Sequence, residues 1–128
     1  HEAAMNKTDL GIFKLLDDMR ISSERILATL EGQTRESFLD SEASWAAQDI
    51  IARRLSIIGE AAASLSRKYP DFCEKHPEIP FRVIIGMRNI LVHDYGAIDW
   101  MLVWNTIQQD ISPLFAHICS LMQLLDAD

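Results

Sequence analysis

Apolar residues recur at helical spacing along most of this chain. In the first stretch they keep to one helical face, with Ser23 in the remaining slot of the stripe: Ile12, Leu16, Met19, Ile26 and Leu30. Thr8 or Asp9 can cap the start of this helix, and Gly32 can end it. The pattern therefore predicts a first helix over residues 9–31.

A longer helix is predicted over residues 42–68. Its apolar stripe is formed by Ala47, Ile51, Leu55, Ile58, Ala62 and Leu65. Ser41 suits the N-cap, and the helix must stop before Pro70. Gly59 within it costs on the order of 1 kcal/mol relative to Ala. We therefore expect another backbone to approach Gly59 closely.

Shorter segments connect these helices to the rest. Residues 33–40 are polar and predict a connection with a helical turn around Phe38 and Leu39. Residues 70–80 contain three prolines and predict a loop. Residues 81–93 follow Pro80 with an apolar pattern and predict a helix, which Gly96 would terminate.

The last stretch predicts a long helix capped by Asp99. Its apolar positions alternate at spacings of four and three: Trp100, Trp104, Ile107, Ile111, Leu114, Ile118, Leu121 and Leu125. This stripe passes through Pro113, so either one kinked helix or two abutting helices satisfies it. No stretch alternates with period two for long enough to form a strand. We predict an all-α, up-and-down bundle of four to five helices.

The 128 residues predict a single domain over residues 5–128, and residues 1–4 before Met5 resemble an expression-tag remnant. The chain carries 19 acidic and 12 basic residues, a formal net charge of −7. Such a charge argues against broad, nonspecific coating of nucleic acid, which depends on Lys and Arg. It leaves room for one local cationic site.

Two further features bear on location. No apolar run reaches 18 residues, so no membrane span is predicted. Cys73 and Cys119 lie far apart and form no disulfide framework. We expect reduced thiols in a cytoplasmic protein.

Residues 88–95 (RNILVHDY) interrupt an apolar helix with polar groups. Asn89 and His93 are four apart and would share a helical face. Arg88 and His93 are five apart, which separates them by about 140° on a regular helix. They would meet only if the last turn near Gly96 were distorted, or if a two-fold axis brought them together from opposite protomers. This geometry favours a homodimer.

These residue types suit metal-free cleavage of RNA. The imidazole of His93 can exchange a proton with the 2′-hydroxyl or the leaving oxygen near neutral pH. The guanidinium of Arg88 can stabilise charge on the phosphorus, and Asn89 can hold the phosphate or fix the His93 tautomer. The products would be a 2′,3′-cyclic phosphate and a 5′-hydroxyl. The alternative is that the Arg–His pair only caps a helix or forms an ion pair.

Several motifs together resemble the HepT-like branch of the HEPN superfamily. Residues 88–95 resemble its R-x4-H-x-Y signature, and residues 58–62 (IGEAA) resemble its small-residue motif. Residues 79–81 and 86–89 resemble the segment that leads into this signature in the family. Residues 104–107 resemble the start of the family's last helix. The resemblance runs in order over residues 9–124. Phe81 departs from the family pattern, because the resemblance leads us to expect Trp at this position. The difference changes side-chain packing and leaves the catalytic residues alone.

The resemblance implies a function and a set of roles. Such proteins are α-helical homodimers, toxins of two-gene toxin–antitoxin systems, with a minimal nucleotidyltransferase as antitoxin. It implies that Arg88 and His93 form the ribonuclease pair, with Asn89 in support and with no metal or cofactor. It also implies that the antitoxin adds AMP to the hydroxyl of Tyr95. An added phosphate would compete with RNA for Arg88.

Several further polar residues are candidates for a role at the site. Glu60 either orients the guanidinium of Arg88 or is a partly exposed carboxylate, and Asp94 is a second supporting residue. The basic pairs at residues 53–54 and 67–68 either form a rim that RNA approaches or are solvated surface charge. His76 and Cys73 lack a further ligand cluster, so no zinc site is expected.

We keep an alternative function from another class. The domain could be a non-catalytic helical module that docks a nucleotidyltransferase partner, or a helical scaffold.

Overall fold

Three long helices form the body of the molecule, in a computed structural model that describes residues 5–91 and 97–126. They are α1 (Lys7–Leu30), α3 (Ser41–Lys68) and α6 (Trp100–Asp126). Short helices connect them: α2 (Arg35–Leu39), α4 (Pro70–Lys75) and α5 (Phe81–Gly86), followed by a 3₁₀ turn at Asn89–Leu91. The described residues contain no strand. The predicted all-α bundle is therefore confirmed, and residues 5–91 and 97–126 contain three long and three short α-helices in place of four to five.

The start of α1 is capped by a different residue from the two predicted. The side chain of Asn6 accepts a hydrogen bond from the backbone N–H of Asp9 at 2.8 Å, so the helix begins two residues earlier than expected. Asn is among the best N-cap residues. Gly32 follows the end of the helix with φ at +81°, a conformation that favours glycine.

The connection between α1 and α3 contains the predicted helical turn. Thr34 and Ser37 form a reciprocal capping box at the start of α2, and Phe38 is fully buried. Asp40 caps α3, so Ser41 is its first helical residue and the predicted Ser41 cap is wrong by one position. The helix is broken near its start at Ser44, whose backbone is not helical.

The prediction of a loop over residues 70–80 is wrong in its first half. Pro70 begins α4, where its missing N–H costs no helical hydrogen bond. Phe72 and Cys73 on this short helix pack partly buried against the core. The sequence pattern missed α4 because six residues are too few for a period to register.

The predicted helix over residues 81–93 begins at Phe81 as expected but is too long; its last two positions and the expected terminator Gly96 lie outside the described residues. The α-helix ends at Gly86, and after a turn the chain forms the 3₁₀ turn, in which the N–H of Leu91 bonds the carbonyl of Arg88 at 3.4 Å. Gly86 has low helix propensity. The backbone of Arg88 also packs against α3, which favours leaving the helical path.

The last helix is continuous. Asp99 caps it as predicted, accepting from the N–H of Leu102 at 3.1 Å. α6 runs through Pro113 as one helix, which decides between the two alternatives. The rings of Trp100 and Trp104 pack on the buried Phe38, with ring centroids 5.8 and 5.4 Å away. None of the helices in the described ranges is long and apolar enough to cross a bilayer.

Candidate functional site

The guanidinium of Arg88 is held at the surface by Glu60. Arg88 lies in the turn after α5, and its Nη1 donates to Oε1 of Glu60 on α3 at 2.7 Å. The side chains are 36% and 68% exposed, so the pair faces solvent. An exposed ion pair stabilises a fold by at most about 1 kcal/mol. The bond restrains the Arg88 guanidinium, and the same carboxylate is largely exposed, so the contact has features of both interpretations given for Glu60.

Gly59 explains why the Arg88 turn can lie so close to α3. A Cβ at this position would stand 2.8 Å from Cβ of Arg88 and 3.1 Å from its backbone nitrogen. Carbon atoms in contact normally lie about 3.5–4.0 Å apart, so a side chain here would push the turn away. The predicted close approach to Gly59 is confirmed, and its partner is the segment that carries Arg88.

The other residues of the predicted site fall into two groups. Asn89 is exposed and begins the 3₁₀ turn directly after Arg88. His93, Asp94 and Tyr95 lie outside the described residues, so the pairing of Arg88 with His93 stays a prediction. The separation of about 140° expected on a regular helix no longer applies, because the chain has left the α-helix before Arg88.

A groove between α1 and α3 includes Glu60, the partner of Arg88, in its wall. It has a volume of about 310 Å³ and is lined by Leu15, Asp18, Arg53, Ser56, Ile57, Glu60, Ala61 and Ser64. We call it the α1–α3 groove. Sequence analysis missed it, because these residues lie beside the apolar stripes and only the spacing of the packed helices opens a space between them.

The charges in the α1–α3 groove are unevenly compensated. Asp18 pairs with Lys14 at 3.1 Å, and Glu60 pairs with Arg88. Within residues 5–91 and 97–126, Arg53 forms no ion pair. The groove thus offers one uncompensated guanidinium, that of Arg53, and its Glu60 binds a second one, that of Arg88.

A smaller cavity of about 170 Å³ lies between the start of α5 and the middle of α6. Val83, Met87, Pro113 and Leu114 contribute apolar walls, with Glu78, Asp110 and His117 also lining it. The N–H of Glu78 itself, and then His76 at 3.1 Å, lower the pKa of the Glu78 carboxyl. In the part of the chain that the structure describes, no three His, Cys, Asp or Glu side chains converge as metal ligands would.

Comparison with known proteins identifies a family that this chain matches. A family model described as "Ribonuclease HepT-like" matches residues 19–121. "Probable ribonuclease HepT" of Thermococcus cleftensis is 38% identical over 86 residues, which are 66% of this chain and 76% of that protein. "Putative RNase MJ1216" of Methanocaldococcus jannaschii is 33% identical over 107 residues, 84% of this chain and 82% of that protein.

Other relatives match over less of their length. "Putative RNase MJ1380" of Methanocaldococcus jannaschii is 41% identical over 61 residues, 48% of this chain and 53% of that protein. The chain spans between 50% and 61% of the length of this relative and of two further curated relatives. No solved structure matches the chain.

The family match extends over most of the chain, and it includes the helix that carries Gly59 and Glu60 as well as the turn that carries Arg88. The resemblance noted in the sequence is confirmed: the chain belongs to the HepT-like ribonuclease family.

Proposed function

We propose that this protein is an endoribonuclease that cleaves RNA without a metal ion, through Arg88 and His93, and that it acts as the toxin of a toxin–antitoxin system. The observation that carries the proposal is the Arg88 guanidinium, which Glu60 holds at 2.7 Å at the surface, beside a groove that Glu60 also lines. The names of the relatives support the ribonuclease activity.

Arg88 is suited to stabilise the transition state. A guanidinium has five N–H donors, and the bond from Nη1 to Glu60 leaves others for the phosphate oxygens. Because Glu60 fixes the side chain before RNA binds, less conformational freedom is lost on binding. Charge that develops on the phosphorus oxygens would therefore meet a preoriented cation.

His93 supplies proton transfer in this proposal. The 2′-oxygen loses its proton and attacks the phosphorus, the bond from phosphorus to the 5′-oxygen breaks, and the 5′-oxygen takes up a proton. The products are a 2′,3′-cyclic phosphate and a 5′-hydroxyl. Asn89, next to Arg88, holds the phosphate or the His93 tautomer.

The proposal extends to assembly and control. Two protomers form a homodimer in which each completes the other's site, and a minimal nucleotidyltransferase antitoxin adds AMP to Tyr95. The added phosphate competes with RNA for Arg88. Mass spectrometry after incubation with this partner and ATP tests it: the wild type should gain AMP units, and Tyr95→Phe should gain none.

The test of the nuclease compares His93→Ala and Arg88→Ala with Arg82→Ala. Arg82 is an exposed arginine of α5 that lies six residues before Arg88 and forms no ion pair in the described ranges. The first two variants should cleave RNA about 10²–10⁴-fold more slowly, the usual range for an acid–base or oxyanion group. Arg82→Ala should retain activity, and EDTA should not reduce cleavage by the wild type.

Cleavage is followed on denaturing gels, and the cyclic phosphate is identified by mass spectrometry. Cleavage that survives His93→Ala would contradict the proposed mechanism. A folded wild type that binds the nucleotidyltransferase and leaves every RNA intact would favour the docking module instead.

A further inference from the structure

Three arginines lie together where the C-terminal half of α1 packs beside the N-terminal half of α3. The two helices are antiparallel, since Gly11 near the start of α1 meets the Tyr69 hydroxyl at the end of α3. Arg25 and Arg53 are exposed and Arg54 is half-buried. Partial burial, and then the like charges of Arg25 and Arg53, lower the pKa of Arg54. We call these three residues the arginine cluster.

The cluster is unusual in a chain with a net charge of −7. Arg20, on the same helix as Arg25, pairs with both Asp17 and Glu24. Within the described ranges, none of the three cluster residues forms an ion pair. Like charges at close range repel, and an anion bound between them would remove that repulsion.

The wall of the α1–α3 groove contains Arg53 of the cluster and Glu60, the residue that binds the guanidinium of Arg88. Arg53 and Glu60 both line it, seven residues apart on one helix, which is about 10 Å along the axis. At about 3.4 Å of rise per nucleotide of a stacked strand, that distance corresponds to about three nucleotides. Both carboxylates of the groove are already paired, so neither opposes a phosphate with a full free charge.

The walls of the groove suit a nucleotide. Leu15 and Ile57 are half-buried and offer apolar surface to a base, and Ser56 and Ser64 carry hydroxyls that can bond a ribose or base edge. The groove is open on one side, which admits a single strand with its bases turned inward.

We infer that a single RNA strand runs from Arg88 along the α1–α3 groove and that the arginine cluster binds its backbone phosphates about three nucleotides from the cleavage position. The inference rests on the proposed nuclease and adds a second RNA-binding position to it. It explains how an acidic protein retains RNA: a few placed guanidiniums do so in place of a basic surface.

The test measures binding apart from cleavage. Arg25→Gln/Arg53→Gln/Arg54→Gln is built in a His93→Ala background, so that a labelled uridine oligonucleotide of about ten nucleotides stays intact. The control in the same background is Lys7→Gln/Lys68→Gln/Lys75→Gln. It also removes three positive charges, and its residues lie at the start of α1, the end of α3 and in α4, away from the cluster. Thermal melts confirm that both variants fold.

The cluster variant should bind the oligonucleotide about tenfold or more weakly than its parent. The slope of log affinity against log salt should also become smaller by about 0.7 for each RNA phosphate that the variant no longer neutralises. The control should bind within about twofold of its parent.

Three outcomes would overturn the inference: unchanged binding by the cluster variant, equally weakened binding by both variants, or no binding by the parent. The nuclease proposal is judged separately, by cleavage with the wild type. Intact cleavage together with unchanged binding by the cluster variant removes only the groove. Absent cleavage together with weaker binding by the cluster variant alone removes the nuclease and leaves the arginine cluster as an RNA-binding position.

Discussion

The absence of a side chain at Gly59 lets the Arg88 turn pack directly against α3, and this position sets where the Arg88 guanidinium lies. The Arg88 backbone nitrogen would lie 3.1 Å from a Cβ at position 59, so the turn can stay where it is only while residue 59 is glycine. Since Glu60 is the next residue on α3, the same turn of helix both admits the Arg88 backbone and binds its guanidinium.

Gly59→Ala should therefore lower the cleavage rate strongly and the free energy of unfolding only slightly. Alanine favours the helix by about 1 kcal/mol, whereas overpacking typically costs about 1–3 kcal/mol. We expect a small net decrease in the free energy of unfolding, measured by urea titration. The displaced Arg88 should lower the cleavage rate at least about tenfold, because a shift of about 1 Å in a positioned group can cost about 10²-fold.

Gly86→Ala is the matched control. A Cβ at Gly86 meets no atom within 4 Å, although Gly86 is at the end of the helix that leads to Arg88. This variant should keep its activity and gain slightly in stability. If both glycine variants cleaved RNA equally poorly, the close approach at Gly59 would not be the reason.

At this scale the sequence predicted the need for a close approach at Gly59 but not its distance. A glycine in the middle of a helical pattern is a visible anomaly, and Glu60 was a visible candidate partner for Arg88. The groove residues were not visible as a set. Leu15 and Ser64 are on different helices, and only the antiparallel packing brings them to one space.

At the scale of elements, a buried amide helps to fasten α2 to α3, together with the hydroxyl of Ser44, which donates to the carbonyl of Ser37. The side chain of Gln48 is 4% exposed, and its Nε2 donates to the carbonyl of Phe38 at 2.9 Å and to Oγ of Ser41 at 3.0 Å. The carbonyl lies at the end of a short helix that has few bonds of its own. Gln48 therefore holds Phe38 in place beneath Trp100 and Trp104.

Gln48→Ala should lower the free energy of unfolding by about 1–3 kcal/mol, because it leaves the Phe38 carbonyl buried without a donor. Chemical denaturation followed by tryptophan fluorescence measures the decrease. Asp49→Ala changes the exposed neighbour and should alter stability by about 0.5 kcal/mol or less. An equal effect of both substitutions would mean that the amide does not fasten α2.

The helices also show where hydrophobic periodicity predicts secondary structure correctly and where it does not. The three long helices were predicted nearly to their ends, since a stripe of six or so apolar positions leaves little choice of period. α4 and α5 were mispredicted, because six residues each contain less than two turns. Packing against the core decides where such short helices form and end. Phe72 packs α4 against the core, and the contact of the Arg88 turn with Gly59 ends α5 early.

At the scale of the whole molecule, the exposed position of Arg88 raises the question of what completes its site. In the proposed dimer, Arg88 of one protomer acts with His93 of its partner, and a closed two-fold assembly contains two such sites. The alternative is a site that each protomer completes alone. The two arrangements differ in how inactive variants behave when they are mixed.

Mixing Arg88→Ala with His93→Ala protein, after unfolding and joint refolding, should restore cleavage. In a mixed dimer one site lacks both groups and the other keeps both, so random pairing gives about one quarter of the wild-type rate. Each variant refolded alone is the control and should remain inactive. If the mixture is also inactive although mass measurement shows mixed dimers, Arg88 and His93 do not act across the two-fold axis, because only a site shared between protomers can combine the intact arginine of one chain with the intact histidine of the other.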